Sequence, residues 1–221
     1  MHSLIDMNLL ETIADRGWAS IPGVNGSSDL LRLAMSLGKP VENARHQLIS
    51  ELRVAASVGA RPLTLSAAFG TGIFPLHTDT AFWPTPARFL VMLAEGDIRR
   101  TTAVCSMRRI LNSGGYHLTN LIERSVWIVR GKDGSRYGQM TLSTKSIRSG
   151  IRFDRQCMKP ANASAREVAA YFDIDDCAPA VEHLEWRPHT AVVISNWHAL
   201  HGRGSQPPNE QQRILQRVYV E

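Results

Sequence analysis

The sequence predicts a mainly β fold with flanking helices, a double-stranded β-helix (a double-sheet jelly roll of the cupin type). Three observations lead there. Apolar residues recur at helical spacing near the N-terminus, in two short segments. From residue 51 the spacing moves towards two, the period of a strand. Gly, Pro, Asn and Asp then divide the chain into many short extended runs. There is no repeat, low-complexity tract or linker, so 221 residues read as a single domain, 1–221, long enough to bury a sizeable core.

Taken in order, residues 6–17 form a first helix: Asp6 caps it, Leu9, Leu10 and Ile13 make its apolar stripe, and Gly17 ends it. Trp18 to Gly23 is a short strand running into a turn. A second helix starts at Ser27 or Ser28, turns Leu30, Leu31, Ala34 and Leu37 to one side, and stops at Gly38 and Pro40. These two helices brace a sheet. Strands are predicted at 62–69, 72–79, 88–95, 101–105, 125–130, 137–143, 148–155, 190–197 and 213–220. Two short helices interrupt them, one at 106–112 and one after the capping-box pattern Ser164-Ala165-Arg166-Glu167.

Composition narrows the function classes. With 43% hydrophobic and 20% charged residues the chain is an ordinary globular protein. Its net charge of +5 is spread thinly, with no basic helix or aromatic-interleaved patch, so no nucleic-acid partner is expected and a small anionic ligand fits as well. Cys105, Cys157 and Cys177 are odd in number and without CxxC spacing, which points to a reducing compartment. No signal-peptide pattern opens the chain, and no apolar run approaches the roughly 20 residues a bilayer needs. A soluble, cytoplasmic protein acting on a small molecule is expected, with no membrane partner.

Chemistry concentrates in two places. Phe74-Pro75-Leu76-His77-Thr78-Asp79-Thr80 carries a His and an Asp two apart, which on an extended segment point the same way. An imidazole and a carboxylate so placed make two-thirds of the two-His-one-carboxylate triad that binds non-haem Fe(II) and leaves positions open. Near the C-terminus, an apolar strand from Thr190 runs into a polar turn bearing His198 and His201. Beyond it, Arg213, Leu215, Arg217 and Tyr219 share one face of a strand. Two arginines facing one way are costly to bury unless something anionic meets them. At roughly 3.3 Å per residue they stand about 13 Å apart, suited to two neighbouring carboxylates.

His77-x-Asp79, His201-Gly202-Arg203 and Arg213-x-x-x-Arg217, in this order, resemble the Fe(II)/2-oxoglutarate dioxygenases of the taurine dioxygenase and clavaminate synthase-like superfamily. Gly17 to Gly23 and Leu33 to Pro40 look like that superfamily's N-terminal segment, and Asn196 to Arg203 like its strand with the distal histidine. The resemblance implies that His77, Asp79 and His201 ligate Fe(II), and that Arg213 pairs with the far carboxylate of 2-oxoglutarate. Such a pairing suits the bidentate guanidinium. It implies Thr102, with Thr101 as the alternative, as the threonine touching 2-oxoglutarate, since the stretch from Gly96 to Val104 is longer than its counterpart. Arg217 matches a position that in some members holds a substrate carboxylate or sulfonate. The implied chemistry is oxidative decarboxylation of 2-oxoglutarate with O₂, giving succinate and CO₂, and hydroxylation of an unactivated C–H bond in a small polar, amino-acid-like or carboxylated metabolite. A carboxylate at Asp79, where related halogenases have a small residue, argues for hydroxylation.

Other readings stand beside these. His198 is the alternative to His201, but on a strand the two face opposite ways. Arg217 also suits a cation–π contact with Tyr219 or an ion pair with an acidic neighbour. Phe82, Trp83 and Arg88 follow the His-x-Asp motif where the superfamily lines its substrate cavity; core packing is the alternative for the aromatics. A desaturase or cyclase would use the same iron centre, and a cupin-like binding protein would keep the barrel without turnover. A hydrolytic zinc enzyme is disfavoured, since no HExxH stands by the triad.

Overall fold

The computed structural model describes residues 7–43, 45–53, 68–96, 98–143, 150–172, 180–204 and 214–221. Helix α1 (Met7–Arg16) leads to β1 (Trp18–Pro22), and α2 (Gly26–Leu37) to β2 (Pro40–Val41) and β3 (Ile49–Arg53). Then come β4 (Phe74–His77), β5 (Phe89–Glu95) and β6 (Thr102–Ser106), helix α3 (Met107–Arg124), and the strands β7 (Val126–Gly131), β8 (Gly134–Gln139), β9 (Thr141–Leu142), β10 (Gly150–Ile151) and β11 (Met158–Pro160). Helix α4 (Ala163–Tyr171) precedes β12 (Val181–Leu184), β13 (Thr190–Ser195), β14 (Ala199–Arg203) and β15 (Ile214–Val220).

Two antiparallel sheets face each other. The larger runs β1-β13-β5-β15-β2, with β3 also paired to β15; the smaller runs β12-β6-β14-β4. Their shared filling joins Leu90, Met92, Val192, Ile194, Leu215 and Tyr219 of the first to Val104, Leu184 and Ala199 of the second. Alternate residues turn outward. Phe89, Val91, Leu93 and Val193 pack under α1 and α2 through Ile13, Leu30, Leu33 and Ala34. On the outer side of the smaller sheet, Leu76, Ala103, Cys105 and Leu200 meet α3, α4, Trp127 and Phe153. A strand covered on both sides is apolar on both, which is why Phe89-Leu90-Val91-Met92-Leu93 is a continuous run.

The elements depart from expectation where tertiary pairing decides. The α2 N-cap is Asn25, whose backbone N–H donates to Asp29, and α4 is capped by Asn162 rather than Ser164. Beyond the helix expected at 106–112, a second helical segment runs to Arg124, and the two meet across a kink at Gly115, whose φ of 60° and ψ of −160° are not helical. The strand expected over 137–143 is divided between β8 and β9; of that expected over 148–155, residues 148–149 lie outside the described residues and β10 covers Gly150–Ile151. Of the strand expected at 62–69, residues 62–67 lie outside the described residues and 68–69 are helical. No helix among the described residues is long and apolar enough to cross a membrane.

Candidate metal centre

β14 lies between β6 and β4 in the smaller sheet, and its register sets His201 opposite His77. Both rings face the space between the sheets, since Ala199, two before His201, belongs to the shared filling while Leu200 packs outside. Their centroids are 4.4 Å apart. The ladder shifts register between His201 and Arg203, opposite Pro75, which has no N–H to donate. Gly202 is required there, because a Cβ on it would stand 2.4 Å from the Phe74 carbonyl oxygen.

Asp79 joins the two histidines from a turn, not from the strand: β4 ends at His77 and the chain bends at once. Thr80, with φ 56°, is a β-branched residue in the left-handed region, a conformation that persists only under constraint. The constraints are visible. Asn196, fully buried between β13 and β14, accepts from the Asp79 N–H at 2.9 Å and donates to the carbonyls of Asp79 at 2.9 Å and Ala87 at 2.7 Å. The Thr80 hydroxyl donates to the Asp79 carbonyl and accepts from the Ala87 N–H. On the other side Thr78 is tied to Phe153 through its N–H and its hydroxyl.

His77 Nε2 stands 3.2 Å and His201 Nε2 3.8 Å from Asp79 Oδ1, and all three side chains are buried. One ligand atom from each lies within 4.8 Å of the others. His77 Nδ1 donates to the Pro75 carbonyl at 3.1 Å, so a neutral His77 turns its Nε2 lone pair towards the carboxylate. Two acceptors facing each other in a buried space call for a cation between them. A proton is one solution: although burial opposes it, Asp79 raises the His77 pKa. A divalent ion is the other, and it also engages His201, which burial first and His77 second push down to about 3, leaving a neutral ring. His201 Nδ1 has no hydrogen-bond partner among the described residues. Two imidazole nitrogens and one carboxylate oxygen make a donor set that fits ferrous iron with open positions.

Arg217 takes the other carboxylate oxygen. Its Nη1 donates to Asp79 Oδ2 at 2.5 Å, and its guanidinium lies 4.4 Å over the Tyr219 ring. Burial would raise the Asp79 pKa, but Arg217, then the histidines, hold it well below the usual carboxylate range. Both alternatives read for Arg217 in the sequence, ion pair and cation–π contact, are therefore present together. Its Nε is buried with no partner among the described residues.

The other expected residues separate. Thr102 is buried on β6, two before Val104 and on the same interior face, and its hydroxyl accepts from Trp186 Nε1 at 3.1 Å. Thr101 pairs with His183 instead. Arg213 lies outside the described residues. His198 is in the turn after β13, bonded to Ser195 Oγ, away from the triad. Phe82 packs against the outer cluster of the smaller sheet; Trp83 is the aromatic that meets the interior, 5.9 Å from Tyr219. Arg88 is not brought to the triad: its guanidinium lies 5.0 Å over Phe89, which packs beneath the helices. Sequence reasoning missed the role of Asn196, whose signal was its place just before the distal-histidine strand.

No family model and no curated protein matches the chain. Solved structures do. Asparagine oxygenase, in complex with Fe(II), 3-hydroxyasparagine and succinate, has a TM-score of 0.75 at 17% identity, covering 96% of this chain and 77% of that one. The chain shares the fold of this non-haem iron oxygenase. The non-haem iron oxygenase OrfP, in complex with Fe and α-ketoglutaric acid, has a TM-score of 0.72 at 17% identity, over 96% of this chain and 78% of that one. PvcB from Pseudomonas aeruginosa has a TM-score of 0.71 at 18% identity, over 100% and 82%.

Proposed function

We propose that the chain, as a single domain spanning 1–221, is an Fe(II)- and 2-oxoglutarate-dependent dioxygenase on a double-stranded β-helix. It hydroxylates an unactivated C–H bond of a small polar, amino-acid-like or carboxylated metabolite, with succinate and CO₂ as co-products. The observation that carries this is the convergence of His77 Nε2, His201 Nε2 and Asp79 Oδ1 in a buried space. Further support comes from the fold shared with oxygenases whose complexes hold Fe and succinate with hydroxylated asparagine or arginine.

Iron with 2-oxoglutarate and O₂ supplies an oxidant able to take hydrogen from an unactivated carbon. The chain supplies ligands, orientation and shielding. His77, His201 and Asp79 hold the ion, and the Pro75 carbonyl fixes the His77 tautomer. Arg217, by occupying Oδ2, leaves Asp79 a single oxygen for the metal. Arg213 takes the far carboxylate of 2-oxoglutarate, and Thr102 touches the same cosubstrate. Arg217 Nε meets an anionic group of the substrate. Trp83 and Tyr219 close the apolar wall and exclude water.

The test is succinate formation from 2-oxoglutarate with Fe(II), ascorbate and O₂, without added substrate. The wild-type chain forms succinate slowly; His77→Ala and His201→Ala form none. A wild-type chain that forms no succinate, or variants that match it, would overturn the reading and favour a binding protein.

A further inference from the structure

A second cluster of charge lies outside the metal centre, where Arg136 of β8 and Arg152, just past β10, meet the turn that follows it. Arg152 is 9% exposed, and it meets no carboxylate among the described residues. Its Nε donates to the Gln139 carbonyl at 3.1 Å, and its Nη1 to those of Trp83 at 3.0 Å and Pro84 at 3.3 Å. Arg136, also without a carboxylate among the described residues, donates to the carbonyls of Phe82 at 2.9 Å and Trp83 at 2.7 Å. One carbonyl, that of Trp83, therefore draws two guanidiniums together.

Carbonyl dipoles satisfy the hydrogen bonds but do not cancel two whole charges. Burying a cation without a counter-charge is costly, and a second cation beside it adds to the cost. The strain registers in Arg152, whose pKa burial first and Arg136 second hold below its ordinary value. Arg152 Nη2 makes no hydrogen bond among the described residues. Beside it opens a cavity of about 230 Å³, walled by Arg152, Gln139 and the hydroxyl-bearing Thr85, Thr141 and Ser143. A guanidinium with a free N–H edge, hydroxyls nearby and no acidic side chain among the described residues of the wall suits an oxyanion.

We infer that this cavity is an anion-binding site, taking a carboxylate or phosphate group of a small molecule on Arg152. The missing negative charge then comes from the ligand. Because Arg152 and Arg136 hold the carbonyls of Phe82, Trp83 and Pro84, an anion bound here braces the turn that sets Trp83 against Tyr219 at the metal centre. The site needs no iron, and it stands or falls apart from the oxygenase reading.

The test is calorimetric titration of the metal-free full chain with sodium phosphate and, separately, sodium malonate, at ionic strength held constant with sodium chloride. A saturable site is expected on Arg152, separate from any anion that Arg213 or Arg217 takes at the metal centre. Arg152→Gln weakens it at least tenfold, and Arg217→Met, which alters the metal centre, leaves it in place. Tighter phosphate marks a phosphorylated ligand and tighter malonate a carboxylated one; either supports the site. Should Arg152→Gln not fold, Thr141→Val keeps the carbonyl clamp and is expected to weaken binding severalfold. Heat that never saturates in the wild-type chain, or affinity unchanged in Arg152→Gln or in Thr141→Val, would overturn the inference.

Discussion

Asp79 divides its carboxylate between two partners, Oδ2 to the Arg217 guanidinium and Oδ1 to the space shared with His77 and His201. Its backbone is held just as firmly, by Asn196 on both its N–H and its carbonyl. Asn196→Ala strips three hydrogen bonds from a fully buried place and should cost about 2–4 kcal/mol in denaturant unfolding. Metal affinity of the folded variant should fall roughly 10–100-fold, as for other groups that orient a ligand. Unchanged stability and affinity would mean that the clamp is idle. Cys157 gives a second test. Burial pushes its thiol up to about 12, so at pH 8 the thiolate is about one part in ten thousand. Peptide mapping after native-state treatment with iodoacetamide at pH 8 should find Cys157 unmodified while free cysteine is consumed. At this scale the triad was legible, because a His-x-Asp and a distant His carry a known donor pattern. Asn196 and Trp83 were not: Asn196 bonds across 117 residues of chain, and the inward turn of Trp83 rather than Phe82 depends on the carbonyl clamp.

Among the elements, β14 matters most to the site; its residues alone read as a polar turn, and only the resemblance of Asn196 to Arg203 marks it as the strand with the distal histidine. Ala199-Leu200-His201-Gly202-Arg203 is short and mixed, and it becomes a strand because β6 and β4 pair with its two edges. The apolar strands β5, β13 and β15 of the larger sheet were legible within a residue or two, since their period and length are set by burial. The second half of α3, beyond Gly115, was not read, since the non-helical Gly115 separates it from the segment that was. Gly202→Ala is the element-scale test. Its Cβ would strike the backbone of β4, not a side chain that could swing away, so β14 must move from β4 and His201 from His77. A loss of about 1–3 kcal/mol in stability is expected, with metal binding weakened in parallel. Full metal affinity in a folded Gly202→Ala chain would contradict the claim that this ladder sets the geometry.

For the whole molecule, the smaller sheet pairs β4 with β14 over a separation of more than 120 residues, the larger sheet faces the histidines they carry, and helices cover the outer faces. The mainly β class with flanking helices followed from periodicity, but the order of strands did not, because pairing partners leave no local trace. The anaerobic titration of the metal-free chain with Fe(II) in the presence of 2-oxoglutarate puts the central claim to the most direct test. A 2-oxo acid chelated to ferrous iron gives a visible charge-transfer band. The wild-type chain should develop that band and saturate at one iron per chain, and His201→Ala should not. No band in the wild-type chain, or the same band in His201→Ala, would contradict the assignment of these three side chains to one ferrous ion.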